Sequence, residues 1–377
     1  MRRILNLSLF SLLSLLCWSC QPISSTQNAD TTAEPGISPK DSLIILENEQ
    51  LSLRIEQFGG HFTGIELKSN PLNPLSWALT AEQMPPNNKD GAPFKGHFLC
   101  LGRWGGPSEG EIAAGIPHNG EQSNTLWTVS SLNTKEVAME NEAPLDGLTV
   151  QREVSLINQQ PAFMVKETFT NIFSLGRVSN VVQHVTIGPP FLSSETLFNS
   201  NAKKGFNQKL SYPDPHAYAY EWPMAIVDTS DNRTNDLRKN NIPDNFVSTH
   251  LFDASDEFGW VSAYDPKSGN LLAYVWKLSE YPWINIWSHF VDGKAFAKGL
   301  EFGTTGIGRP YQSLLETDTR FHGFNSWEYM DAGETKEKTY LGFIIHLGAG
   351  QANPQLTINQ LGILLNNEKV MDNPLSL

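Results

Sequence analysis

Cysteine is nearly missing from this 377-residue chain: Cys17, Cys20 and Cys100 are all it has. The first two belong to an apolar leader, so the body keeps one thiol and cannot form an intrachain disulfide. Cys100 lies between Leu99 and Leu101 and reads as a small buried hydrophobe. Positive charge is also scarce, with 27 Lys and Arg against 40 Asp and Glu, and no basic run beyond pairs such as Lys203-Lys204. Phosphate backbones need a basic stripe, so no nucleic acid partner is expected. The chain has no GxGxxG, P-loop or CxxC signal, and none of its histidines has the spacing of a zinc pair on one element. The expectation is no cofactor and no metal. Helical periodicity is missing as well, apart from a weak trace in Leu356 to Asn366.

The N-terminus is distinctive. Arg2-Arg3, an apolar run from Ile4 to Leu16 and then Cys17-Trp18-Ser19-Cys20 have the layout of a secretory signal peptide over residues 1–20, too short to span a membrane. Ser19-Cys20 resembles the end of a bacterial lipobox, although Cys17 and Trp18 are unusual just ahead of it. The expectation is that Cys20 becomes the lipidated first residue of an exported protein. Its only hold on the membrane would be that anchor, on a periplasmic or cell-surface face. Ordinary cleavage and release is the competing reading. Residues 21–40 are rich in Ser, Thr, Asn, Pro and Gly and read as a flexible tether. Residues 41–377 read as one domain.

That domain is a succession of short runs of Val, Ile, Thr and aromatics, bounded by Gly, Pro, Asn or Asp. Leu43 to Leu46, Leu51 to Ile55 and a third run after Gly59-Gly60 have a meander signature. LTVQREVSLI and AFMVKETFTNI read as a hairpin with Gln151, Glu153, Lys166 and Glu167 facing water. The pattern predicts an all-β fold, a large antiparallel β-sandwich. Two proline-rich or Asn/Asp-rich stretches, Asn70 to Phe98 and Ser194 to Phe246, read as loops over one end of it.

Three stretches carry chemistry. In AFAKGLEFGTT, Glu301 stands between Leu300 and Phe302, where burial would raise its proton affinity toward that of a general base working near neutrality. The preceding YPWINIWSHF offers Trp283 and Trp287 as flat faces for a sugar ring, with His289 sharing the face of Trp287. In VVQHVTIGPPFL, His184 points to the opposite sheet face from Val181 and Gln183. A satisfied core histidine is the plain alternative. The glycine-rich LCLGRWGGPSEGEIAAGIPHNGEQSNTLW carries Arg103, His118 and Glu121 on a backbone able to approach a ligand closely. His250 and His322 have no motif around them, and His61 and His97 stand near glycine turns.

In order along the chain, Arg103 in a glycine segment, His118 with Gly120 and Trp127, His184 with Phe191, and Glu301 behind YPWINIW resemble the galactose-mutarotase-like superfamily of aldose 1-epimerases. The resemblance spans roughly Ser42 to Gly348 and implies that family's large sandwich, the supersandwich. It further implies Glu301 as the base at the anomeric hydroxyl and His184 as the acid at the ring oxygen. His118 would polarise the sugar and Arg103 would bind a hydroxyl. Asn119 interrupts the family's histidine-glycine pair. Asp228, Asp231, Asp253 and Asp265 remain open for the aspartate that grips sugar hydroxyls. The partner implied is a monosaccharide or a glycan end, and the activity aldose 1-epimerisation. The alternative is a lipoprotein on the same scaffold that binds carbohydrate through its tryptophans without turning it over. The oligomeric state is not legible.

Overall fold

Alternating side chains force strands to pack on two faces, and here two large sheets result. The computed structural model describes residues 42–376. The expected signal peptide, Cys20 and the whole of the tether lie outside that range. The first sheet has ten strands, in the order Leu43–Glu47, Leu51–Glu56, His61–Leu67, His97–Leu101, Val181–Ile187, Lys294–Gly303, Trp283–Val291, Phe246–His250, Lys204–Asn207 and Tyr220–Glu221. The second has eight: Leu197–Ser200, Phe258–Asp265, Asn270–Lys277, Thr335–His346, Ala162–Asn171, Leu148–Leu156, Glu136–Ala143 and Thr128–Leu132. Neighbouring strands pair antiparallel, as in the opening meander and the hairpin Leu148–Leu156 with Ala162–Asn171.

The core lies between the sheets, where Leu53, Ile55, Leu300 and Phe302 of the first meet Val150, Val165, Leu272 and Trp276 of the second. Trp276 and Phe302 stack at 4.3 Å. A separate apolar layer on the second sheet is covered by a small C-terminal sheet through Leu356, Ile363 and Met371. Leu356–Asn359 and Gly362–Leu365 are strands of that sheet, so the weak helical trace there is overturned. The cause is turn chemistry, since the Asn359 side chain accepts hydrogen bonds from the backbone N–H groups of Leu361 and Gly362 and reverses the chain.

One charge placed outward by the sequence reading is inside. Gln151 and Glu153 are exposed, but Glu167 is fully buried. Neighbours on a strand face opposite ways, so Lys166 outside puts Glu167 inside. There it accepts from Arg152 Nε at 2.7 Å and from Gln183 Nε2 at 2.6 Å. The stretch 194–246, read as loop, contains short strands and a helical turn, Gln208–Ser211.

Candidate active site

The site is built on the outer face of the first sheet. Register brings its two central groups together. Gln183 lies opposite Phe302 and Thr186 opposite Gly299, which sets His184 directly across from Glu301 on the neighbouring strand. On its other side His184 faces Phe98, and beyond Glu301 come Asn285 and Thr249. The row Phe98, His184, Glu301, Asn285 and Thr249 therefore crosses five adjacent strands. Alternation sends Leu300 and Phe302 into the core and leaves Glu301 outward, while Gln183 is tied to Glu167 behind the sheet.

His184 Nε2 is 3.3 Å from Glu301 Oε1, with Glu301 1% exposed. Trp104 Nε1 donates to Glu301 Oε2 at 3.0 Å, and His184 Nδ1 lies 2.8 Å from Thr186 Oγ1. Burial pushes the Glu301 carboxyl up to about 8, with the Trp104 hydrogen bond opposing it. Burial drives His184 down to about 3, and His118 to about 4 with help from the Arg103 charge. At neutral pH the pair is thus a carboxylic acid beside a neutral imidazole, with one proton shared between them. Because Oε2 already accepts from Trp104, that proton belongs on Oε1, facing Nε2, and Nδ1–H donates to Thr186.

Gly299 makes room for this arrangement. A Cβ there would come within 2.2 Å of Glu301 Oε1 and 3.0 Å of the Trp287 Cβ. Phe98 stacks on the His184 ring at 4.3 Å and 17°. His118 arrives from a loop whose backbone is clamped by Asn88, which donates to the His118 carbonyl at 3.0 Å and accepts from its N–H at 2.9 Å. Asn119, with φ of 64°, turns its side-chain oxygen to accept from Gly105 N–H, so the residue inserted into the histidine-glycine pair is itself part of the loop's fastening.

These groups line a cavity of about 380 Å³. His184, Glu301, His118, Trp287 and His289 all reach it. The loop 70–96 contributes Trp77, Leu79, Gln83, Pro85 and Phe94, and the stretch 194–246 contributes Gln208. Two expected sugar contacts do not reach it. Arg103 is buried behind the wall, paired with Glu111, its guanidinium 4.5 Å over the Tyr311 ring and Nη1 donating to the Arg309 carbonyl. Arg103 and Trp104 project to different partners, and Trp104 is the one that meets Glu301. Trp283 shares a strand face with Trp287, but four residues along a strand is ~13 Å. It is packed into a separate cluster with Phe206 and Phe321, its Nε1 donating to the Asn325 carbonyl.

None of the four aspartates left open lines the cavity: Asp228 and Asp253 hold Ser230 and Ser255, Asp231 binds the Arg233 N–H, and Asp265 caps its own turn. Glu121 lies elsewhere, accepting from the backbone N–H groups of Leu145 and Asp146. Cys100 is fully buried and its thiol is pushed well up by burial, which suits an inert packing role. Trp104, Thr186, Phe98 and Asn88 were missed. The sequence held a trace of two of them, since Thr186 and Phe98 each sit on the outward phase of a strand that the motifs already named.

The sequence matches no protein-family model and no curated protein. The fold has solved counterparts. A galactose mutarotase related enzyme from Lactobacillus acidophilus superposes with a TM-score of 0.58 at 10% identity, covering 81% of this chain and 98% of that one. A galactose mutarotase-like protein from Clostridium acetobutylicum gives 0.55 at 14%, covering 80% and 94%. An aldose epimerase homologue from C. elegans gives 0.55 at 14%, covering 81% and 99%. The two-sheet architecture of this chain is accordingly the galactose mutarotase-like fold.

Proposed function

We propose that the protein is an aldose 1-epimerase acting on sugars outside the cytoplasm. The observation that carries the reading is the His184–Glu301 pair, Nε2 and Oε1 3.3 Å apart at the floor of a cavity that His118 also lines. An acid and a base side by side are enough for the reaction. The anomeric hydroxyl oxygen and the ring oxygen are bonded to the same carbon, so two groups in contact with each other can reach both.

The shared proton first passes from Glu301 Oε1 to His184 Nε2, and Glu301, then a carboxylate, takes the proton of the anomeric hydroxyl as the C1 carbonyl forms and the bond from C1 to the ring oxygen breaks. The ring oxygen takes its proton from His184 Nε2. Rotation about the C1–C2 bond presents the other carbonyl face, and the reverse transfers close the ring. The pair ends with the one proton it began with. Neutral His118 holds one hydroxyl or the ring oxygen. Polarimetry with a panel of free aldoses tests this: well-folded protein should speed the approach to anomeric equilibrium for at least one sugar, and Glu301→Gln should remove the effect by 10²-fold or more, on the order expected for general acid-base catalysis. No acceleration for any sugar would refute it.

A second reading, a carbohydrate-binding lipoprotein without turnover, is favoured by the absence of Asp228, Asp231, Asp253 and Asp265 from the cavity and by its many aromatic rings. Sugar binding that survives Glu301→Gln but is lost in Trp287→Ala, with no anomer exchange, would select it. For either reading we place the protein on a membrane through Cys20. Labelled fatty acid incorporated by the wild type and not by Cys20→Ser is the expected result.

A further inference from the structure

Beyond the reactive pair the cavity continues along an aromatic plate. Trp287 lies opposite Gly299, one side-chain step of ~7 Å along the strand from the level of Glu301, and His289 lies opposite Ala297 a step further. Trp287 and His289 stack at 5.5 Å and 22°. His289 meets Phe296 at 5.6 Å, Phe296 meets Trp77 at 6.5 Å, and Trp77 meets Trp287 at 5.9 Å, so the four rings close a circuit. Trp287, His289 and Phe296 are only partly buried, which leaves ring surface free toward the cavity. At the packing density of organic solids a single hexose fills roughly 200 Å³, about half of the 380 Å³ present.

The proposed reaction fixes which end of a ligand can lie on this plate. With the anomeric carbon at Glu301 and its hydroxyl free, any extension must leave the sugar through another hydroxyl. Charge narrows the ligand further. Among the described residues lining the cavity there is no lysine, arginine or aspartate, and the one carboxyl, Glu301, lies with His184 at the Trp287 end of the plate, where the His184 and Trp287 rings are 5.9 Å apart. A phosphate or uronate buried there would have no counter-charge. His289 and Gln83 supply polar groups at the rim, and the rings supply flat apolar area.

We propose that the site takes the reducing end of an uncharged disaccharide or longer oligosaccharide, with the terminal ring over Glu301 and His184 and the next ring on the Trp287–His289–Phe296 plate. This rests on the epimerase reading for the orientation of the ligand, and the two can fail separately. The experiment measures anomer exchange by NMR for glucose, galactose, cellobiose, lactose, maltose, laminaribiose, gentiobiose and glucuronic acid. Alongside it, binding of the same sugars is read by intrinsic tryptophan fluorescence. At least one neutral disaccharide is expected to exceed its own reducing-end monosaccharide about tenfold in kcat/KM or in affinity, as one added stacked ring would supply. Both His289→Ala and Phe296→Ala should bring that ratio toward one.

If no sugar is turned over but a disaccharide still binds about tenfold tighter than its monosaccharide, and the two variants remove the difference, the subsite stands and the epimerase reading falls. Monosaccharides equal to or better than every disaccharide, a preference for glucuronic acid, or a ratio untouched by both variants would overturn the proposal, whether or not epimerase activity is found.

Discussion

Glu301 and His184 share a proton because each is buried next to the other, and the residues around them decide where it sits. Trp104 donates to Oε2 and holds the carboxyl below where burial alone would leave it. Trp104→Phe keeps the ring and deletes the donor, so the alkaline limb of the pH-rate profile should move to higher pH. Thr186 receives the Nδ1 proton of His184 and fixes the tautomer. Thr186→Val, nearly isosteric, should lower kcat about tenfold, with KM changed less. The sequence exposed Glu301 and His184 because a carboxylate flanked by Leu300 and Phe302 and a histidine late in a β-branched strand are unusual. It could not expose Trp104. Which of two adjacent loop residues, Arg103 or Trp104, turns toward the cavity is decided by Glu111 and Tyr311 drawing the guanidinium away.

At the scale of strands, the site is a consequence of register. Alternation could be read from the sequence and placed Glu301 and His184 each on one face of a strand, but the pairing that sets them opposite one another joins residues more than a hundred positions apart. For the same reason Trp283 and Trp287 looked equivalent. They share a face, and only the chain that folds over each shows that one meets the cavity and the other Phe321. The opening meander was legible because Gly59-Gly60 and the alternating leucines act locally. Gly299 offers the sharpest test at this scale. Its missing side chain is the space that the Glu301 carboxylate occupies. Gly299→Ala should therefore displace the carboxylate and cut activity by about 10²-fold. Its thermal midpoint should fall only modestly, since the group that must yield is the end of a flexible side chain.

Across the whole molecule, burial of histidine sets the acid limit of stability. His61, His97, His184 and His250 are all driven from 6.5 to about 3, in each case chiefly by desolvation. In the unfolded chain each takes up a proton as pH falls through 6.5, while the folded protein refuses it until near 3. The unfolded state therefore binds more protons throughout that window, and stability must fall as pH falls. Approaching four protons, the slope would reach about 5 kcal/mol per pH unit near pH 5. Urea midpoints should drop steeply from pH 7 to pH 5, and His250→Gln should flatten the drop. Glu301 acts in the opposite sense, since its raised affinity favours the folded state below about 4.5 and loses that advantage as pH rises to about 8.

The most direct test of a single proton held between Glu301 and His184 is the pH dependence of anomer exchange, followed by exchange NMR on a sugar that the protein turns over. The pair should work at a steady rate from about pH 5 to pH 7 and lose activity above about 8, where that proton leaves. A rate that climbs through pH 8, or no exchange above buffer at any pH, would contradict it.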